Sequence, residues 1–300
     1  MDPFDNRLLM FGGLRPATSH ARAHAFNDTW MWDGHHWLQI GSNGPANCSG
    51  PVMATDPLRQ ALVLLCPVTS SRGGQARAYL WTGRRWSRMP SAPPDQYACF
   101  GGGSAAWDAA GKRLVFLFCG ELWSYADAQW KQLWRYDESH SSPMPTQIVP
   151  FANGSFIGIN GAGVGYGAHT SAGLYRFDGH GWVQTRPDGA PQEVMGSAYD
   201  PATRTIVVFG SQYGAGIDQG GYDESMFTFA GRRWHAQLLP AALRGREPAA
   251  FDFDPVSRSL VVYSGTTTPG NRPEPFLGTT LAPGDTWTYG GSKWRRTSAG

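Results

Sequence analysis

The sequence predicts an all-β fold, a six-bladed β-propeller. Three observations predict it: a tryptophan that returns six times, a pair of aromatics two residues apart ahead of each of these tryptophans, and tight-turn residues at two fixed places in every repeat. Composition agrees, with 39 Gly, 22 Pro, 13 Trp, 11 Tyr and 15 Phe but only 16% charged residues. Gly and Pro mark turns, and aromatic and β-branched residues fill half-buried strands. A chain of 300 residues buries a large core without help from disulfides, and 1–300 is read as one domain.

The repeated tryptophans are Trp37, Trp86, Trp130, Trp182, Trp234 and Trp294, at spacings of 49, 44, 52, 52 and 60. Self-similarity at such a period marks a repeat architecture. The aromatic pairs ahead of them are Trp30/Trp32, Tyr79/Trp81, Trp123/Tyr125, Tyr175/Phe177, Phe227/Phe229 and Trp287/Tyr289. Residues two apart share one face of a strand, so each pair is expected to pack against a neighbouring blade. Asp33-Gly34, Thr82-Gly83, Asp178-Gly179, Ala230-Gly231 and Gly290-Gly291 then supply hairpin turns, and Ala126-Asp127 stands at the same place without the glycine. Such dipeptides suit positive φ in a short loop. Burial of each repeated tryptophan is expected to contribute roughly 2–3 kcal/mol or more.

A second hairpin precedes this one. Its turn is Asp2-Pro3, Asp56-Pro57, Asp200-Pro201 or Asp254-Pro255, with Asp108-Ala109 and Asn153-Gly154 as variants. An apolar strand follows, as in Leu62-Val63-Leu64-Leu65 and Ile206-Val207-Val208-Phe209, and a strand of small residues precedes it, as in Gly103-Ser104-Ala105-Ala106. Small residues fit strands crowded near a central axis. Two hairpins make a four-stranded blade, with blades at approximately 1–44, 45–94, 95–142, 143–190, 191–243 and 244–300. The first blade opens directly at the Asp2-Pro3 turn and lacks its innermost strand in the sequence. That leaves three readings: an excised domain, closure by blade packing alone, or a strand donated by another subunit.

Phe11-Gly12-Gly13, followed by Asn27-Asp28-Thr29-Trp30 and Trp37, resembles the Kelch repeat of galactose oxidase-type propellers. The resemblance spans nearly the whole chain. It departs in repeats two to four, where the doublet becomes Cys66-Pro67, Cys119-Gly120 and Asn160-Gly161. It implies a ring of blades that commonly serves as an interaction scaffold. Sialic acid mutarotases, which are Kelch-like, show that such a ring also hosts small-molecule chemistry. The Tyr, Cys and His ligand set of a galactose oxidase-like copper site is not matched here, and a shared fold does not transfer a site.

A net charge of +2 without a concentrated basic stripe argues against nucleic acid as a partner. The pairs Arg84-Arg85, Arg232-Arg233 and Arg295-Arg296 are read as solvated turn residues. No stretch reaches the ~18 apolar residues of a membrane span, so no membrane partner is expected. The first residues lack the charged and apolar regions of a signal peptide. As written the chain reads as cytoplasmic, and as secreted or periplasmic if it is an excised domain.

In each blade the loops after the second and fourth strands share one face, and the short hairpin turns share the other. Long loops are expected at 14–27, 67–77, 160–173, 210–224 and 264–285, and after fourth strands at 134–147 and 239–248, whereas Cys119 passes almost directly to Glu121. Function on a rigid scaffold concentrates in such loops. The candidate ligand-binding residues are Arg15, His20, His24, Arg72, Arg77, Tyr136, His140, Tyr166, His169, Tyr213, Asp218, Tyr222 and Arg272, a mixture suited to a small polar or anionic molecule, a peptide or a protein. The His20/His24 spacing carries little meaning in a loop, and no metal or other cofactor is expected. Cys48, Cys66, Cys99 and Cys119 lack zinc-type spacing. They are either buried thiols, cross-strand disulfides in an oxidising compartment, or a reactive thiol. Three functions fit: a binding module using the long-loop face over the central channel, a small-molecule isomerase, cyclase or lyase with a His/Tyr/Arg-lined pocket, or a structural or sensory domain of a larger protein.

Overall fold

A computed structural model describes residues 1–15, 24–48, 50–67, 76–93, 103–118, 120–136, 145–151, 154–159, 173–185, 187–191, 194, 196–213, 221–244, 246–247, 250–267, 280–281 and 284–298. The chain is all-β, with six blades arranged as a β-propeller and, among the described residues, a single 3-10 turn, Ala241–Leu243. Its contacts divide it into two compact units, Met1–Ser142 with Gly154–Phe156, and Pro143–Asn153 with Ile157–Gly300.

The first unit carries three blades. Blade 1 is β1 (Leu9–Arg15), β2 (His24–Trp32) and β3 (Trp37–Gly41); blade 2 is β4 (Val52–Asp56), β5 (Ala61–Cys66), β6 (Arg77–Trp81) and β7 (Trp86–Arg88). Blade 3 is β8 (Ser104–Asp108), β9 (Arg113–Phe118), β10 (Glu121–Ala126) and β11 (Gln129–Arg135). In the second unit, blade 4 is β12 (Gln147–Pro150), β13 (Phe156–Ile159), β14 (Leu174–Phe177) and β15 (Trp182–Thr185), and blade 5 is β16 (Gly196–Asp200), β17 (Thr205–Tyr213), β18 (Gly221–Ala230) and β19 (Arg233–Leu238). Then follow β20 (Arg246–Glu247), β21 (Ala250–Asp254), β22 (Ser259–Tyr263), β23 (Thr266–Thr267), β24 (Thr280–Leu281), β25 (Thr286–Gly290) and β26 (Lys293–Ser298). Of these, β21, β22, β25 and β26 form blade 6, while β20, β23 and β24 form a small separate sheet. Among the described residues blade 1 shows three strands, as its sequence predicts.

The turn chemistry explains why the first hairpin closes in blades 1, 2, 3, 5 and 6. Asp56 Oδ1 accepts the N–H groups of Leu58 and Arg59, Asp200 Oδ1 those of Ala202 and Thr203, and Asp2 Oδ1 that of Phe4. An aspartate that hydrogen-bonds the backbone two or three residues on imitates a backbone turn. The residue four places after each Asp is left-handed without being glycine: Asn6, Gln60, Lys112, Arg204 and Arg258 have φ between 48° and 58°. In the outer hairpins the N–H groups of His36 and His35 hold the Asp33 carboxyl below its ordinary value, and those of His180 and Gly181 do the same for Asp178.

Each repeated tryptophan stands directly across the ladder from the second aromatic of its pair, as in Trp32↔Trp37, Trp81↔Trp86 and Phe229↔Trp234. The six ring pairs have centroids 4.9–5.3 Å apart, a geometry that contributes about 0.5–1.5 kcal/mol beyond area burial. As expected, the pairs face a neighbouring blade. Trp123 lies beside Val63 and Leu65 and Phe227 beside Val149 and Ile159, and the second aromatic, besides stacking on its tryptophan, joins the same layers, as Trp81 does with Leu9 and Met31 and Tyr289 does against the cluster of Ala198 and Phe209. Burial differs from expectation: Trp234 is 5% exposed, but Trp37, Trp86, Trp130, Trp182 and Trp294 are only half-buried, because they stand on the outermost strands. Fully buried bulk belongs instead to Trp32, Trp81 and Tyr175. The arginine pairs also differ from one another. Arg84-Arg85 and Arg232-Arg233 are exposed beside their turns, whereas Arg295-Arg296 lies within β26 and Arg296 reaches Asp285.

Candidate functional site

In three blades the end opposite the short hairpin turns carries β-structure where the sequence suggests only loops. In blade 1 the ladder between β1 and β2 runs on past a bulge at Phe11/Gly13 to pair Leu14 with Ala25 and Arg15 with His24. In blade 5 β17 and β18 continue past a bulge at Phe209/Ser211 to pair Gln212 with Tyr222 and Tyr213 with Gly221. In blade 6, β23 and β24 lie within the segment 264–285 and pair with one another, β23 also with β20. The expected loops at 14–27, 210–224, 239–248 and 264–285 are therefore partly strand. Nothing in local composition distinguishes a loop from a hairpin that continues after a bulge, since only the pairing partner decides it. The glycine doublet has its reason here. Gly12 and Gly13 have φ of 69° and 125°, and a Cβ on Gly12 would stand 3.1 Å from the Phe26 carbonyl oxygen. Blade 3 lacks such an arm: Phe118 pairs with Glu121, and the Tyr136 N–H donates to the Gly120 carbonyl.

In the first unit, His24 opens β2 exposed to solvent, its ring edge-on to Phe26 with centroids 4.9 Å apart. Arg77 opens β6, and its Nη2 donates to the Asn47 carbonyl at 2.6 Å. Asn47 precedes Cys48, which is joined to Cys66 at the end of β5 by a disulfide. Of the three readings for the cysteines, the disulfide holds for this pair. Tyr136 follows β11, its ring 6.5 Å from that of Trp134. Arg15, His24, Tyr213 and Tyr222 thus stand on the two arms, and the backbone brings Arg15 opposite His24. His20, Arg72, His140, Tyr166, His169, Asp218 and Arg272, with Cys99 and Cys119, lie outside the described residues. No hydrogen bond, ion pair or ring contact among the described residues joins His24, Arg77 and Tyr136 to one another.

Carboxylates outside the thirteen candidate ligand-binding residues recur two residues before a strand tryptophan. In blade 3 the buried Glu121 accepts Trp123 Nε1 at 2.8 Å and pairs with Arg135 Nε at 3.0 Å. In blade 6 Asp285 accepts Trp287 Nε1 at 2.8 Å, Arg246 Nη1 at 2.6 Å and Arg296 Nε at 3.4 Å. In blade 1 Asp28 accepts Trp30 Nε1 at 2.8 Å. An acidic residue two places before a strand tryptophan was the available signal, and it occurs three times. Burial works to raise the Asp285 carboxyl, but hydrogen bonds from Arg246 and Trp287 and the charges of Arg246 and Arg296 outweigh it and hold the group below the usual carboxylate range. The carboxylates are buried while Arg135 and Arg296 are 56% and 46% exposed. Each guanidinium is therefore oriented by one edge and offers its remaining N–H donors to solvent, the fork geometry that receives carboxylates and phosphates. Among the described residues no group of three or more His, Cys, Asp or Glu is placed to hold a metal ion, and no helix is long and apolar enough to cross a membrane.

No family model matches the chain, and no curated protein does. Among solved structures it is similar to YjhT, at 11% identity over 90% of each chain with a TM-score of 0.58. This likeness concerns the fold. The chain is also similar to the structure of a nidogen/laminin complex, at 13% identity over 91% of this chain and 95% of the other with a TM-score of 0.48. A protein from Lactobacillus plantarum aligns at 11% identity over 98% and 95%, with a TM-score of 0.44.

Proposed function

We propose that this chain is a ligand- or protein-binding propeller of the Kelch type that uses its elaborated face, with an anionic or polar group as the recognised feature. The observation that carries the reading is the asymmetry between the two ends of the blades. Within each blade one end has only short hairpin turns, several of them closed on an aspartate, whereas the opposite end carries a hairpin arm in blades 1 and 5 and a small extra sheet beside blade 6. Binding residues sit on loops and extensions positioned by a rigid scaffold. The half-exposed guanidinium groups of Arg135 and Arg296 give that end oriented donors for an anion. The Kelch assignment is supported by the left-handed backbone of Gly12 and Gly13, which the Phe11-Gly12-Gly13 motif requires. The Cys48–Cys66 bond supports action in an oxidising compartment, secreted or periplasmic, because such bonds are rare where thiols are kept reduced.

The test is a thermal-shift screen of anionic metabolites and acidic peptides on the parent, then on Arg135→Ala, Arg296→Ala, His24→Ala and the turn-face control Arg204→Ala. Loss of the shift in the first group but not in the control is expected. A ligand whose shift survives all three loop-face changes and disappears with Arg204→Ala would place binding at the other end and overturn the reading.

A further inference from the structure

Glu121 and Glu224 each meet one guanidinium group, whereas Asp285 meets two. In blade 3, Glu121 Oε1 pairs with Arg135 Nε and Oε2 accepts Trp123 Nε1. In blade 5, Glu224 pairs with Arg244 at 3.1 Å. In blade 6, Asp285 Oδ1 is taken by Arg246 Nη1 at 2.6 Å, and Oδ2 by Trp287 Nε1 at 2.8 Å and Arg296 Nε at 3.4 Å. Among the described residues no other carboxylate pairs with Arg246 or Arg296. A guanidinium group keeps its proton in a protein, so this node holds one positive charge more than its carboxylate cancels.

Local structure fixes both cations. Arg246 opens β20 and stands opposite Thr267 of β23, so the small extra sheet brings its side chain to Asp285. That side chain is 3% exposed, its Nη2 donates to the Ala242 carbonyl at 3.0 Å, and its Nε is buried without an acceptor. Both carboxylate oxygens are already engaged, and an uncompensated charge is costly away from water. Arg296 is the member of the node that a solute can reach. It stands across the ladder from Trp287 on the outermost strand, with its side chain 46% exposed. Its Nε is turned to Asp285, and among the described residues neither Nη group has a protein partner.

We infer that the outer edge of Arg296 is a subsite for one oxyanion, a carboxylate or phosphate group of the ligand, whose charge completes the Arg246–Asp285–Arg296 node. Two parallel N–H···O bonds from a guanidinium group fit either oxyanion. Asp285 is a positioning residue, since it orients Arg296 through Nε and leaves the Nη edge open. Arg246 supplies the excess charge from below. The subsite presupposes that the elaborated end is the binding end, and it places the anion at blade 6 rather than blade 3, where Glu121 already cancels Arg135.

The probes are sodium phosphate and sodium acetate, titrated into the full chain at constant ionic strength so that screening does not change. The arginine Nε–Hε signals are followed by NMR and the affinity by thermal shift. At least one of the two anions is expected to move the Arg296 signal saturably, and the stronger of them tells phosphate from carboxylate. Arg296→Ala, which removes a half-exposed side chain and is expected to fold, should weaken that binding at least about tenfold. Arg296→Lys keeps the charge without the fork and should fall between, while the turn-end variant Arg204→Ala should bind as the parent does. A shift that chloride reproduces at equal ionic strength, or an affinity that Arg296→Ala leaves intact, would overturn the inference. Binding that survives Arg296→Ala but disappears with Arg135→Ala would leave the proposed binding end standing and remove this subsite alone.

Discussion

The buried pair between Arg246 and Asp285 allows a prediction with a magnitude. Both side chains are 3% exposed and their Nη1 and Oδ1 atoms stand 2.6 Å apart. Asp285→Asn keeps the side-chain volume and an acceptor for Trp287 Nε1, but leaves the Arg246 guanidinium buried without its counter-charge. Removing one partner of a buried pair costs about 3–5 kcal/mol. Arg296 compensates little, since it is 46% exposed and 3.4 Å away, and Arg296→Ala should itself cost at most about 1 kcal/mol. Arg246→Met combined with Asp285→Asn should cost less than Asp285→Asn alone, because no unpaired charge remains. Urea unfolding followed by tryptophan fluorescence reads all four proteins. Acid adds an independent check. The folded Asp285 carboxyl titrates below its unfolded value, so its contribution is complete above the unfolded pKa and is lost as pH falls through the folded one. The parent should thus lose stability on acidification below about pH 4 by a component that Asp285→Asn lacks. A loss under about 1 kcal/mol for Asp285→Asn, or superimposable acid profiles, would refute the reasoning.

Three further outcomes are expected. Trp234→Ala should destabilise by about 3–5 kcal/mol, and Trp37→Ala by clearly less, because Trp234 is 5% exposed and Trp37 half-buried; equal losses in thermal unfolding would contradict this. Reduction of Cys48–Cys66, or Cys66→Ser, should cost about 3 kcal/mol for a sequence separation of 18 by loop-closure entropy, and unfolding with and without reductant measures it. Arg204→Gly should gain up to about 1 kcal/mol by relieving a left-handed residue, offset in part by added freedom in the unfolded chain; a clear loss would mean that the Arg204 side chain contributes something its exposed position does not show.

Much of the fold is legible because its signals are local. A hairpin with a short turn forces the residues flanking it into register, so the Trp32…Trp37 and Phe229…Trp234 spacings already imply cross-strand pairs. The Asp-Pro turns are equally local, since one side chain and the next few N–H groups close them. The candidate site is less legible. Arg15 and His24 are distant in sequence, and only continuation of the β1–β2 ladder past the Gly12-Gly13 bulge brings them opposite one another. Asp28, Glu121 and Asp285 occur at a readable spacing from tryptophan, but Arg135, the partner of Glu121, and Arg246 and Arg296, the partners of Asp285, come from other strands.

The sequence by itself determined the six repeats, the four-strand plan and, within most blades, the contrast between short turns at one end and long connections at the other. Each of these follows from periodicity and turn chemistry within a few tens of residues. Tertiary structure decided the rest. It set the second aromatic of each pair against its repeated tryptophan, joined Cys48 to Cys66, and buried Asp285 against Arg246. Such outcomes depend on which surfaces exclude water together, and burial is a property of the packed blades that no local stretch of residues carries.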